Sequence, residues 1–343
     1  MKVSSLFKHR GIWLGCVMLL IMIYHSRFDT VSVIYSKIQK YGYSGVDVFL
    51  FASGIGCYYS LEKDPDILRF LLRRFRKLGP PYLCFAVLWT LWRAAVKPLP
   101  VSAIVGGFLG LESFVSWDLH FNWYISALIL FYFLVPYFKR ITDSVRGGLG
   151  DVLVAAFLVI AAIPFWDAKD PNMIIYARLP IFYLGVVCGK LAKQDLVLNW
   201  RHQLMLLTAA VVGIVALVHC RNYLPDYLWA QGLYWYPLIA VVPGVCFVLS
   251  LVGDFLQKHR ILRWLYRFLD MVGKYSFELY LVHLFLFESV MPHISPMFPE
   301  IPHNLLWAAT VPTIVAGCFL LNRAAALVSA LPGKLTKKNT GIL

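Results

Sequence analysis

The chain has 343 residues, 60% of them hydrophobic and 15% charged, with a mean hydropathy of +0.69 and a formal net charge of +14. A soluble chain of this length carries more charge and shorter apolar runs, which excludes a pair of soluble domains. Its apolar runs are also continuous rather than alternating, which excludes an outer-membrane barrel.

The composition fits an all-α polytopic membrane protein. Ten spans are predicted, at about 11–27, 45–62, 80–97, 121–138, 151–166, 177–192, 203–220, 234–252, 275–292 and 304–322. The first is not followed by a small-residue cleavage site and is read as a retained span. Residues 1–10, 63–77, 139–146, 190–201, 258–274 and 323–338 hold 24 of the 32 Lys and Arg, and all of these segments fall on one side of the membrane. Basic loops stay in the cytoplasm, so the expected topology is N-in and C-in, and the positive charge reflects topology rather than nucleic-acid binding. Residues 1–330 read as one transmembrane domain. Residues 331–343 read as a short cytoplasmic tail, disordered from Lys334 on. Residues 98–118, interrupted by Gly106, Gly107 and Gly110, suit a re-entrant or interfacial piece. The aromatic, proline-bearing stretches after Leu224 and Tyr234 suit an interfacial belt. The seven cysteines lie mostly in apolar segments without a CxxC pair and read as small buried hydrophobes. No internal repeat of the kind that builds duplicated transporters is evident.

Four groups of residues carry candidate chemistry. In the first span, Arg10 and His25 stand fifteen residues apart, about 22 Å along a helix, near opposite faces of one bilayer. Asp47, in the first turn of the second span, is predicted at the same depth as His25. A carboxylate there would fix the imidazole tautomer and stabilise the imidazolium, making His25 a candidate general base; the alternatives are that Asp47 caps its helix or pairs with Arg27. The second group is Arg69, Arg73, Arg74 and Arg76 on a basic amphipathic helix, with Leu68, Leu71, Leu72 and Phe75 at helical spacing and a new span starting at Pro80-Pro81. Such a helix suits the phosphates of a nucleotide-bearing ligand or, equally, lipid headgroups. His120, Trp123, Tyr124 and Arg178 form a third group near the outer face, as binding groups for a sugar or as interfacial anchors. The fourth comprises Glu278, Tyr280 and His283, polar groups within the ninth span that mark an aqueous cavity or interhelical bonds. Ser53-Gly54 is read as a close helix contact rather than a nucleophile. No two histidines share ligand spacing, so no metal is expected.

In this order, IMIYHS, GVDVFLFASGI, RFLLRRFRKLGPPYL, HFNWYISALILFYFLVP, RLPIFYLGVVCGKL and VGKYSFELYLVHLFLFE resemble the membrane-bound acyltransferase family 3, which includes bacterial polysaccharide O-acetyltransferases. The resemblance covers nearly the whole chain. The family places an arginine eleven residues before the span-one histidine; that position here is Leu14, and Arg10 lies four residues earlier. The resemblance implies an integral enzyme of the bacterial inner membrane, with acyl-CoA (usually acetyl-CoA) as donor substrate and no tightly bound cofactor. The implied acceptor is a carbohydrate or glycolipid hydroxyl at the outer face. Some members add a periplasmic hydrolase-like domain, which this chain is expected to lack.

Residues and resemblance together give one scheme. Arg10, Arg69, Arg73, Arg74 and Arg76 hold the CoA nucleotide, and its pantetheine arm threads between spans. His25, oriented by Asp47, takes the acceptor's proton, and Arg178 or Tyr124 stabilises the oxyanion. His120, Trp123, Tyr124, Tyr280 and His283 line the acceptor site. Two rival classes stay open at this point: a transporter or flippase for a glycolipid or small anion, and a structural partner in polysaccharide assembly.

Overall fold

The computed structural model describes residues 1–26, 28, 32–115, 123–145, 148–162, 172–224 and 235–339. Its main helices are α1 (Arg10–His25), α2 (Gly45–Lys63), α3 (Ile67–Val96), α4 (Trp123–Ser144), α5 (Gly148–Ala162) and α6 (Leu179–Lys193). They continue with α7 (Trp200–Tyr223), α8 (Pro237–Lys258), α9 (Arg263–Lys274), α10 (Ser276–Leu284) and α11 (Thr310–Asn339). Among the described residues no strand forms beyond one isolated bridge, Lys2 to Val197.

Among the described residues, six helical stretches are long and apolar enough to cross a membrane: Val3–His25, Trp123–Ser144, Met173–Lys193, Trp200–Tyr223, Pro237–Lys258 and His303–Ala330. The described residues of the other four predicted spans also fall on helices, but each is compromised. Helix α2 carries charges at both ends, α3 opens on its arginines, and α5 has only 15 residues. The ninth span is composite: α10 passes into a π-helical turn at Phe285–Val290 and then into Met291–Ile294.

Two expectations are corrected. No new helix starts at Pro80-Pro81; α3 runs unbroken through both prolines, which are buried. Proline has no N–H, so the carbonyls of Arg76 and Lys77 lose their usual helical donors. The described part of the 98–118 stretch holds two short helices, Val101–Leu109 and Glu112–Val115, separated at Gly110, whose φ of 70° favours glycine. The final helix extends to Asn339, beyond the position where a disordered tail was expected.

Two close helix crossings set the frame. A methyl group on Gly54 would meet the Phe182 carbonyl, and one on Gly185 would meet the Phe51 carbonyl, so α2 and α6 touch backbone to backbone. Helices α1 and α9 meet the same way, through Gly15 against Leu269 and Gly273 against Gly11. Small residues drive such contacts where lipid offers no hydrophobic incentive. The outer surface is apolar, with Leu91, Val152, Phe157, Val211, Val215 and Leu320 all exposed, as a lipid-facing surface should be.

The contacts sort the molecule into two poles. At one, Lys2 pairs with Asp195 (3.1 Å), Lys139 with Glu62 and Asp143 (3.1 and 2.5 Å), and His9 with Asp254 (2.8 Å). Lys193 also pairs with Glu62. The basic segments around residues 1–10, 63–77, 139–146, 190–201 and 258–274 therefore gather at one end. His25, Asp47, Arg178 and Trp235 lie at the other, beside a contact between Lys40 and Asn222 (2.6 Å).

Candidate active site

A cavity of about 370 Å³ lies between α1, α2, α3, α4 and α10. Each helix contributes one stripe. Helix α1 supplies Arg10, Leu14 and Ile21; α2 supplies Val46, Phe49, Ser53 and Gly56; α4 supplies Tyr124, Leu128 and Tyr132. Those spacings of three, four and seven residues are successive turns of a single helix face. Arg74 and Lys77 on α3, with Lys274 at the end of α9, complete the basic end, and Ser276 and Tyr280 extend the wall along α10. Four cations line the cavity, and no carboxylate does among the described residues. From Arg10 to Ile21 it follows α1 for eleven residues, roughly 17 Å. Ile21 is one turn short of His25. Leu14, where the family pattern places its arginine, lies on the same stripe as Arg10, one turn deeper.

The arginines of the basic helix divide. Arg74 lines the cavity, donating to the Gly56 carbonyl (2.7 Å) and packing over the rings of Phe70 and Tyr132 (5.2 and 5.8 Å). Arg73 is engaged by Asp64 (2.6 Å) and Ser60, and Arg69 by Asp64 and Asp66 (3.6 and 3.3 Å). The Arg73 hydrogen bond holds the Asp64 carboxyl below its ordinary range, and the Arg69 backbone N–H does the same for Asp66 as it caps α3. Arg76 is exposed and lines no part of the cavity. Of the five proposed nucleotide ligands, only Arg10 and Arg74 face the cavity. Lys77 and Lys274 join them; Lys77, three residues after Arg74, could have been found from helical spacing alone.

At the other pole, the expected pairing of His25 with Asp47 does not form. Asp47, buried, meets Arg178 (Nε to Oδ2, 3.4 Å), and Arg178 also donates to the Ile174 carbonyl (3.0 Å). The guanidinium lies over the rings of Trp123 and Trp235, at 4.9 and 4.6 Å. Arg178 sits at the N-cap of α6, where the helix dipole disfavours a cation, so Asp47 offsets both the burial and the dipole. Trp235 was not anticipated, because its belt-like setting gives no sign of a partner.

His25, half-buried, instead meets His283, fully buried, with 3.4 Å between His25 Nδ1 and His283 Nε2 and 5.3 Å between ring centroids. A chain of rings links this pair to the cavity: His283 to Tyr280 (6.2 Å) and Tyr280 to Tyr124 (5.1 Å). A second chain runs from His25 through Tyr24 to Tyr43 (4.8 and 5.8 Å), and Tyr43 feels the charges of Asp47 and Arg178. His120 and Arg27 lie outside the described residues. Glu278 bonds Asn322 (3.0 Å) and ties α10 to α11. Ser53 lines the cavity beside Tyr132 (3.3 Å). No group of three or more metal-ligating side chains occurs among the described residues.

Taken together, the His25–His283 pair stands near the far end of a cavity whose near end is cationic, an arrangement suited to moving a group from an anionic carrier to a second substrate. No curated protein and no solved structure matches the chain. The family described as "Acyltransferase domain" matches it over residues 15–323, nearly its whole length, and the chain belongs to that family, acyltransferase family 3.

Proposed function

We propose that this membrane acyltransferase takes an acyl group, typically acetyl, from acyl-CoA at its basic pole. It delivers that group to a hydroxyl of a carbohydrate or glycolipid at the opposite pole, with His25 as general base. The observation carrying this reading is the cavity, which starts among Arg10, Arg74, Lys77 and Lys274 and ends one turn from His25. The cations suit the phosphates of CoA, and the apolar stretch lined by Leu14, Ile21, Val46 and Phe49 suits its thioester arm. The 24-to-8 division of Lys and Arg supports placing the basic pole in the cytoplasm of a bacterial inner membrane, so donor and acceptor approach from opposite sides.

In this scheme His25 Nε2 removes the acceptor's hydroxyl proton while the hydroxyl oxygen attacks the thioester carbonyl. The tetrahedral intermediate collapses, the C–S bond breaks, and the departing thiolate recovers the proton from the imidazolium. General-base assistance supplies on the order of 10²–10⁴-fold. Tyr124, which lines the cavity, is better placed than Arg178 to donate to the oxyanion, because Arg178 is only 1% exposed and already engaged by Asp47.

The test is release of CoA thiol on adding acetyl-CoA to membranes with and without acceptor. Acceptor-dependent release, lost in His25→Ala at unchanged membrane abundance, supports the reading. Transport of a glycolipid or anion without thioester consumption would replace it with the flippase alternative.

A further inference from the structure

The partner of His25 is a second histidine, and its hydrogen bonds determine which nitrogen of His25 can act. Each ring folds back on its own helix: His25 Nδ1 lies 3.0 Å from the Ile21 carbonyl, and His283 Nδ1 lies 2.7 Å from the Leu279 carbonyl. A carbonyl only accepts, so each Nδ1 carries a proton. That leaves His283 Nε2 as a lone-pair acceptor, 3.4 Å from His25 Nδ1. The His25 Nδ1–H is then shared between Ile21 and His283, and the lone pair of His25 is confined to Nε2. No described residue hydrogen-bonds that atom.

Burial separates the roles of the two rings. His283 is 0% exposed and is flanked by Tyr280 and by Phe287 (6.1 Å), whereas His25 is only half-buried. Helix α10 turns Tyr280 toward the cavity and, three residues on, His283 toward α1. The π-helical turn beginning two residues after His283 widens the helix at this point, an irregularity often found beside functional groups.

We propose that His283 is a positioning residue. Its neutral imidazole accepts the Nδ1–H of His25, holding His25 in the tautomer whose Nε2 is the base, and it keeps that hydrogen bond when His25 becomes imidazolium. This is the role commonly filled by a carboxylate, but here Asp47 is committed to Arg178. The inference rests on His25 acting as the base and replaces the expectation that His283 touches the acceptor.

The test compares His283→Gln, whose amide oxygen can still accept from His25, with His283→Leu, similar in size but lacking an acceptor. At equal membrane abundance, His283→Leu should lower kcat by about 100-fold with the acetyl-CoA KM within about twofold, and His283→Gln should retain most of kcat. Wild-type kcat in His283→Leu, or equal losses in both variants, overturns the proposal. ¹⁵N NMR of histidine-labelled protein in lipid, with His25 assigned by its disappearance in His25→Ala, gives a second readout. A protonated Nδ1 and bare Nε2 at His25 support the proposal; the opposite tautomer overturns it whatever the kinetics. Should His25→Ala remain fully active, the general-base reading fails, while the tautomer measurement still decides the pairing.

Discussion

Replacing Asp47 by Asn leaves Arg178 buried without a counter-charge. At 3.4 Å and an effective dielectric near 20, the pair's gross attraction is roughly 5 kcal/mol. Breaking a buried pair typically costs about 3–5 kcal/mol, because the surviving charge stays desolvated. Asn keeps the size and one accepting oxygen, and Arg178 keeps the Ile174 carbonyl and two tryptophan faces, each ring worth about 0.5–2 kcal/mol. The expected loss is therefore near the low end, about 3 kcal/mol. In Asp47→Asn/Arg178→Gln no charge remains to strand, so the double variant should lose less than the sum of the singles, with a coupling of about 2 kcal/mol. The assay is the unfolding midpoint of purified protein in one detergent for all four forms of the cycle. An additive cycle, or an Asp47→Asn protein as stable as wild type, would refute the reasoning and return Asp47 to a role at His25.

Two further outcomes follow from the basic pole. Arg10→Ala, Arg74→Ala and Lys77→Ala should each raise the acetyl-CoA KM by about 10–100-fold, the worth of one charge-assisted phosphate contact, whereas Arg69→Ala and Arg76→Ala should change it less than about twofold; initial-rate kinetics on membranes would show a uniform response if the cavity did not select among these cations. Asp64, held below its ordinary value of 3.8 by Arg73, contributes stability that is present above that value and lost as pH falls through the lower folded value. Asp64→Asn should therefore lower the unfolding midpoint at pH near 7 and leave it unchanged at the acid end of the transition, and equal losses at both would mean that the ion pair is not the cause.

Local patterns carried much of this protein. Apolar run length and the placement of Lys and Arg were enough to identify an all-α membrane protein and to separate a basic end from the His25 end, because bilayer thickness and loop charge act on each segment individually. The same applies to Arg10 and His25, which one helix holds at a known separation. Pro80-Pro81 misled for a related reason: proline's local cost was legible, but the tertiary packing that buries both rings within one helix was not. What only the tertiary structure decided is which polar groups face each other. Asp47 and His25 were expected at one depth, yet each residue along a helix turns the side chain by about 100°, so depth does not fix direction. Rotation is set where helices touch, at Gly54 against Phe182 and Gly15 against Leu269, contacts between residues far apart in the chain. Those crossings turn Asp47 to Arg178 and His25 to His283, and they align Arg10, Arg74 and Lys274 around one cavity.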